Sequence, residues 1–333
     1  MDIFRVATID DIDAIHAFTK SAGEGLTTVP RTRERVADYI KETHRFLSGD
    51  KTANRVLFTA QRGDEILGIS GIIPKLGVER PFYSFKRARH ARRSSAAGLS
   101  VKYETLQLTT DFDDYTELAT MYLSPQGRGT GMSRLLSLGR IAFIERHQDL
   151  FDTRLMAEIR GWFDENGNSP FWQDLTSRFI QTDFEIADRL SSSDGRFIIE
   201  LLPSLPIMLN LLPQAVRDCT GKPHELSAIA CGILLEAGFK ETDLCDLFDG
   251  GPSIECFVKD TLISRTYQLS QSMTDMGEEK LIHFGGKLKD FRATFGMGNL
   301  VSAQADEAAQ SVLDSDIYIA RVYDKRRAVK PMS

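Results

Sequence analysis

From Thr116 to Phe143 the chain runs through a strand-like stretch, a glycine-rich loop and a helix-like stretch, and this order constrains the fold more than any other feature. The loop reads Ser124-Pro125-Gln126-Gly127-Arg128-Gly129-Thr130-Gly131, and the helix that follows carries Leu135, Leu136, Leu138, Ile141 and Phe143. Glycines let backbone N–H groups approach an anion, and the N-terminus of the next helix adds positive partial charge, which suits a pyrophosphate. The same glycines would also serve a plain strand-to-helix turn. A dinucleotide fingerprint needs GxGxxG and an acidic residue ~20 positions on, and a Walker loop needs Gly-Lys-Ser/Thr; neither is present.

The flanking pattern predicts a mixed αβ fold. Phe4-Arg5-Val6-Ala7-Thr8 alternates like a strand, and Asp10-Asp11 precede Ile12, Ile15 and Phe18 on one helical face. A polar helix is expected over 32–47, and Arg62-Gly63-Asp64 splits two apolar runs into a hairpin. Further strands are expected at 103–109 and Thr116–Leu123, joined by an acidic turn over 111–114, and at 155–161 and 197–202. Ser169 and Pro170 start a helix over 169–179, and Leu226, Ile229, Ala230, Ile233 and Leu234 mark another that ends at Gly238-Phe239. The second helix echoes the first, which suggests a weak internal duplication. Beyond residue 261 the chain reads as an appended, β-rich segment with a strand-like piece over 317–323.

Its 333 residues, 42% hydrophobic and 26% charged, are ordinary for a globular protein of two domains or one enlarged one. With 41 basic and 47 acidic side chains the net charge is −6, which disfavours nucleic acid as a partner. The residues from Met1 to Arg5 carry no export signal, and Pro203, Pro206 and Pro213 break the greasiest stretch, so no membrane span is expected. Cys219, Cys231, Cys245 and Cys256 show no CxxC or Cys/His clustering. They read as free thiols of a cytoplasmic protein, with no metal site. Residues 86–93 hold five Lys/Arg and read as a solvated loop, or as a positive patch that steers an anionic substrate.

Gln126-x-x-Gly129-x-Gly131 fits the Gln/Arg-x-x-Gly-x-Gly/Ala signature of the GNAT superfamily of acyl-CoA N-acyltransferases. Several blocks resemble one family within it, the arginine N-succinyltransferases: Gly25-Leu26-Thr27-Thr28-Val29-Pro30, Pro81-Phe82-Tyr83 and Ala157-Glu158-Ile159-Arg160-Gly161. Asp164-Glu165-Asn166-Gly167-Asn168-Ser169-Pro170-Phe171-Trp172 and Asp246-Leu247-Phe248-Asp249-Gly250-Gly251-Pro252-Ser253-Ile254-Glu255-Cys256 continue the series in family order. The resemblance implies a GNAT core over 1–190, a second GNAT-like half over 191–260 and a C-terminal extension over 261–333. It implies transfer of succinyl from succinyl-CoA to the α-amino group of L-arginine, a step of arginine catabolism, in a protein that assembles from more than one chain.

Carried over by position, the family's acyl-CoA contact falls on Leu123, beside the loop residues Gln126, Gly127, Arg128, Gly129, Thr130 and Gly131, and its proton-donating histidine on His224. The family continues that histidine as His-Pro-x-Thr, whereas this chain reads His224-Glu225-Leu226-Ser227, and residues 86–93 are also unusually basic. Alternation places Glu158 and Arg160 on one face of a strand, either as a solvated ion pair or as contacts for the substrate's cation and carboxylate. Asp249 and Glu255 bracket a Gly-Gly-Pro turn and are candidates for the guanidinium. Two other readings stay open: an N-acyltransferase for a different amine or acyl group, and a non-catalytic acyl-CoA-binding subunit.

Overall fold

The computed structural model describes residues 1–20, 22, 28–193, 195–269, 279–285, 287–297 and 317–323. The block Gly25-Leu26-Thr27 lies outside them. Fourteen strands among the described residues form one sheet: β1 (Asp2–Val6), β2 (Val56–Arg62), β3 (Glu65–Ile73), β4 (Ser84–Ser94), β5 (Leu99–Thr109), β6 (Thr116–Leu123), β7 (Arg154–Glu158), β8 (Ile207–Met208), β9 (Lys240–Cys245), β10 (Pro252–Phe257), β11 (Gln268–Leu269), β12 (Glu279–Phe284), β13 (Arg292–Met297) and β14 (Tyr318–Arg321). Their order is β11-β14-β12-β13-β1-β2-β3-β6-β7-β10-β9-β4-β5-β8. The class is the expected mixed αβ. Strands β12 to β14 join beyond β1, through β13, so the C-terminal strands extend the sheet that begins the chain.

Only β6 and β7 pair in parallel among these strands, through Thr116↔Leu155 and Glu117↔Met156. A parallel pair needs a crossover, and the helix Met132–Arg146 supplies it. Eleven of that helix's residues are buried, so it lies inside the fold rather than on it. Phe143 packs edge-on against Phe58, which stacks on Phe4 at 4.8 Å. Helices Ile12–Thr19 and Arg33–Leu47 cover the opposite face, with Ile15, Val36 and Ile40 against Leu57 and Ile69. The second of these starts where Thr32 accepts from the Arg35 N–H, as its sequence suggests.

Two expectations fail for local reasons. Residues 86–93 are not a loop but most of β4, paired with β5 from Ser84↔Thr109 to Ser94↔Leu99. Charge hid the alternation: Phe85 is buried, while Arg87 and Arg89 both reach Glu104, Arg87 at 2.5 Å. The acidic turn consequently links strands that do not pair, since β5 lies beside β4 and β6 beside β3. Residues 197–202 are not a strand but mostly the helix Arg196–Leu201. Ile198 and Leu202 are buried four residues apart while Ile199 and Leu201 are exposed, which is a helical period in a run too uniformly apolar to show it.

The helix expected over 169–179 begins as foreseen, with Ser169 accepting from the Trp172 N–H, but it stops at Asp174 and a 3₁₀ turn, Thr176–Arg178, follows. All four cysteines are buried free thiols. No helix among the described residues is long and apolar enough to cross a membrane, and no group of metal-ligating side chains occurs among them.

Candidate active site

The site follows from a defect in β6. Its ladder with β3 shifts between Ile69 and Gly71, so that two residues of β6 oppose one of β3, and Thr120 takes φ 49°. The bulge bends β6 away from β7, and their pairing ends after Glu117. Carbonyls at the defect still need donors. Arg140, only 1% exposed, reaches in from the crossover helix and donates to Ala119 O at 3.0 Å and Gly71 O at 3.4 Å.

Beyond the bulge, Ser124 N–H donates to Leu67 O on β3 at 2.9 Å. Successive amides of a strand face opposite edges, so the Leu123 N–H turns toward the gap left by β7. The glycine loop then turns the chain over the mouth of that gap. Ser124 Oγ accepts from Gly127 N–H at 3.2 Å, and Thr130 Oγ1 donates to Gly127 O at 2.8 Å. Gly129 and Gly131 stand at φ 72° and 90°, with no atom within 4 Å of where a Cβ would be. Gly131 is also the N-cap of the crossover helix and has no side chain to satisfy the first-turn amides, which leaves them for an anion. Gln126 is exposed on the loop, and Arg128, Gly129 and Gly131 line the cavity below.

That cavity, about 580 Å³, fills the splay between β6 and β7. Its outer wall is the helix Glu225–Glu236, whose Leu226 and Ile229 are 59% and 64% exposed and face the gap. A second cavity of about 410 Å³, lined by Tyr39, Arg55, Phe82 and Tyr83 among others, shares Thr28, Glu117, Glu158, Asp246 and Phe248 with the first. Two cavities therefore meet at a junction rich in carboxylates.

Burial, then the nearby carboxylates of Asp246, Glu117 and Asp249, push Glu158 well above the usual range, and its buried Oε1 has no hydrogen-bond partner. Glu117 is 6% exposed; burial raises it to about 7, against the pull of Arg55 and Arg140. Burial also lowers Arg140 to about 9. Asp246 accepts from the Phe248 and Asp249 N–H groups through Oδ1.

Of the residues singled out from sequence, Leu123, Arg128, Gly129, Gly131, Glu158, Arg160 and Asp249 come together on the first cavity. The Arg160 guanidinium lies 4.6 Å over the Phe163 ring. Asp249 is buried, with each oxygen accepting a backbone N–H at 2.8 Å, from Gly161 and from Gly251. Those contacts tie the turn to the end of β7. Glu255 stands apart: on β10 it accepts from the Tyr115 hydroxyl at 3.1 Å and lines neither cavity.

His224 caps the helix Glu225–Glu236, its Nδ1 accepting from the Leu226 N–H at 3.1 Å, and its backbone N–H donates to Arg160 O at 2.8 Å. It lines neither cavity, although Arg160 and Leu226, to which it is bonded, line the first, and it is half-buried. Burial and then the Arg160 charge hold its imidazole below the ordinary value.

Glu117 and Arg140 were not singled out in the sequence. The available signal was a charge inside an apolar run, Glu117 before Leu118 and Arg140 between Leu138 and Ile141. Glu117 also makes a pH prediction. The folded protein holds its proton more tightly than the unfolded chain, so the stabilisation is full below about pH 4.5 and lost as pH rises through about 7. Glu117→Gln should therefore flatten the decline in unfolding free energy between about pH 5 and about pH 8 by about 2–3 kcal/mol. Denaturant titrations across that range check it, and parallel wild-type and variant profiles would refute it.

Against known proteins, the family model described as "Arginine N-succinyltransferase beta subunit" matches residues 2–263. Arginine N-succinyltransferases of Escherichia coli O17:K52:H18 and Shigella flexneri serotype 5b are each 32% identical over 261 residues, covering 77% of this chain and 76% of theirs. Arginine/ornithine succinyltransferase subunit AI from Pseudomonas aeruginosa superposes with a TM-score of 0.83 at 24% identity, over 97% of this chain and 99% of that one, a likeness of fold. With a family model spanning most of its length and relatives at this identity across three quarters of it, the chain belongs to the arginine N-succinyltransferase family.

Proposed function

We propose that this chain moves a succinyl group from succinyl-CoA to the α-amino group of L-arginine by direct attack of the amine on the thioester. The observation that carries this reading is the pair of cavities meeting at the splay, one opening under the glycine loop and one on the far side. The donor lies in the first, its pyrophosphate on the loop amides and its thioester beside Leu123. The amine arrives through the second and reaches the junction, where Glu117 and Glu158 are placed to take the proton an ammonium must shed before attacking. Nitrogen bonds to the thioester carbon, and the Leu123 N–H receives the oxyanion. Collapse breaks the carbon–sulfur bond and expels the CoA thiolate; the attacking nitrogen gives its surplus proton to His224, and the imidazolium so formed protonates the thiolate. With Nδ1 accepting in the cap the neutral ring carries its proton on Nε2, so His224 takes up the nitrogen's proton on Nδ1 by releasing the Leu226 N–H, and donates from Nε2.

In this reading residues 1–190 supply the loop and the splay, and 191–260 the apolar wall and the floor around Asp246. A matched family described as a "beta subunit" supports assembly with further chains, and four free thiols suit a cytoplasmic setting. Thiol release by the purified chain, measured over a matrix of acyl-CoAs and amino acids, tests the assignment. Succinyl-CoA with L-arginine should be the fastest pair and give N-succinylarginine by mass. A faster pair would reassign the substrates, and CoA binding without turnover would make the chain a non-catalytic subunit.

A further inference from the structure

An amino acid arrives as a zwitterion, and its α-carboxylate, one carbon away from the carbon that bears the attacking nitrogen, must be matched or left at a cost inside a cavity. Among the described residues four cations line the second cavity: Arg35, Arg55, Lys75 and Arg80. Lys75 is exposed and paired with Asp114 at 3.0 Å, and Arg80 is exposed. Arg35 donates to the Tyr39 hydroxyl at 3.4 Å. Arg55 is the last residue before β2, and the chain there is pinned by Asn54, whose side chain donates to Lys75 O at 2.7 Å and accepts from the Lys75 N–H at 3.0 Å. The Arg55 guanidinium lies 4.0 Å over the ring of buried Tyr39, and its Nη1 is buried with no hydrogen-bond partner among the described residues. Its charge, ahead of that of Arg140, opposes the upward push of burial on Glu117, so the guanidinium stands close to the junction of the two cavities.

We infer that Arg55 is the residue that selects an α-amino acid as acceptor, its guanidinium receiving the α-carboxylate while the α-ammonium meets Glu117 and Glu158. This rests on the reading above and takes the place of the expectation that Arg160 meets that carboxylate, since Arg160 lines the first cavity and not the second. The pairing follows from what the junction lacks. Arg55 Nη1 has no acceptor and Glu158 Oε1 no donor among the described residues, and both atoms are buried. The carboxylate and ammonium of one α-carbon supply the two together, close enough in space for a cation and a carboxylate that feel each other's charge. A simple amine supplies only the second and leaves the guanidinium unmatched. Stacked on Tyr39, the planar fork is held ready for two parallel N–H bonds to a carboxylate.

The test pairs L-arginine with L-argininamide, which keeps the amine, the guanidinium and the shape of the carboxylate without its charge, at fixed succinyl-CoA. The wild type should favour arginine in kcat/KM by about 10- to 100-fold. Arg55→Gln should lose arginine by that factor more than it loses argininamide, bringing the ratio near one. Arg55→Lys, which keeps the charge, should retain part of the preference, and it carries the test if the Gln variant does not fold. Equal losses on both acceptors would overturn the inference, because a residue that only supports Tyr39 or tunes Glu117 acts on either acceptor alike. A wild type that uses the two equally would overturn it as well. A wild type that prefers another amino acid to arginine, and that amino acid to its own amide, with the second preference lost in Arg55→Gln, would uphold Arg55 while overturning arginine as the acceptor. If nothing turns over, dissociation constants of arginine and argininamide measured by calorimetry with CoA bound should show the same ratio and its loss in Arg55→Gln, and a ratio unchanged by the substitution would overturn the inference.

Discussion

His224→Gln is expected to lower kcat by roughly 100-fold, the usual worth of a positioned proton donor, with little change in CoA affinity. The structure makes the interpretation of that loss delicate, because His224 also caps the helix that walls the cavity. Loss of a cap costs about 1 kcal/mol of stability and could shift Leu226 and Ile229, which face the gap. His224→Ser separates the two roles. Serine is a good N-cap through its hydroxyl but does not titrate near neutrality. Both variants should lose turnover alike, while the Ser variant keeps the wild-type melting temperature. A Ser variant with most of its kcat would make His224 a cap and nothing more. Its departure from His-Pro-x-Thr would then have chemical meaning, since Glu225 in this chain stands where the family places proline.

What could be read in the sequence, and what could not, divides along physical lines. Strand β6, the loop and the helix after it were legible because each has its own local signal: an apolar run, glycines at fixed spacing and a helical period. The hairpin β2–β3 was equally plain, since Gly63 supplies the turn between two apolar runs. Strand β4 was missed because alternation was sought in hydrophobicity, while here Arg87 and Arg89, two residues apart on one face, both meet Glu104 across the ladder.

The junction of the two cavities was illegible for a deeper reason. Glu117, Glu158 and Asp246 come from β6, β7 and the turn after β9, and only the bulge at Thr120 and the splay it causes bring them to one space. Bulges arise from register, which no single strand records. Asp249 shows the converse. Its setting in Asp249-Gly250-Gly251 suggested a ligand, but the backbone amides of Gly161 and Gly251 occupy both its oxygens.

The loop makes the second large prediction. Gly131→Val should weaken CoA binding at least tenfold, about 1.4 kcal/mol, because its side chain would project into open space above the first-turn amides where the pyrophosphate must come. The left-handed backbone complicates the experiment. At φ 90° a β-branched residue is strained whatever surrounds it, so some loss of affinity would follow from a distorted loop alone. Gly49 offers the control, since it has φ 88° and equally open surroundings but lies after the helix Arg33–Leu47 and lines neither cavity. Gly49→Val should carry a similar cost in stability and leave CoA binding unchanged. Pantetheine, which lacks the pyrophosphate, supplies the other arm. If the loop acts as a phosphate cradle, calorimetry of Gly131→Val should show CoA weakened and pantetheine nearly unaffected. Equal weakening of both would mean that the loop only holds β6 and the crossover helix in place, and unchanged CoA binding would reduce its glycines to a turn.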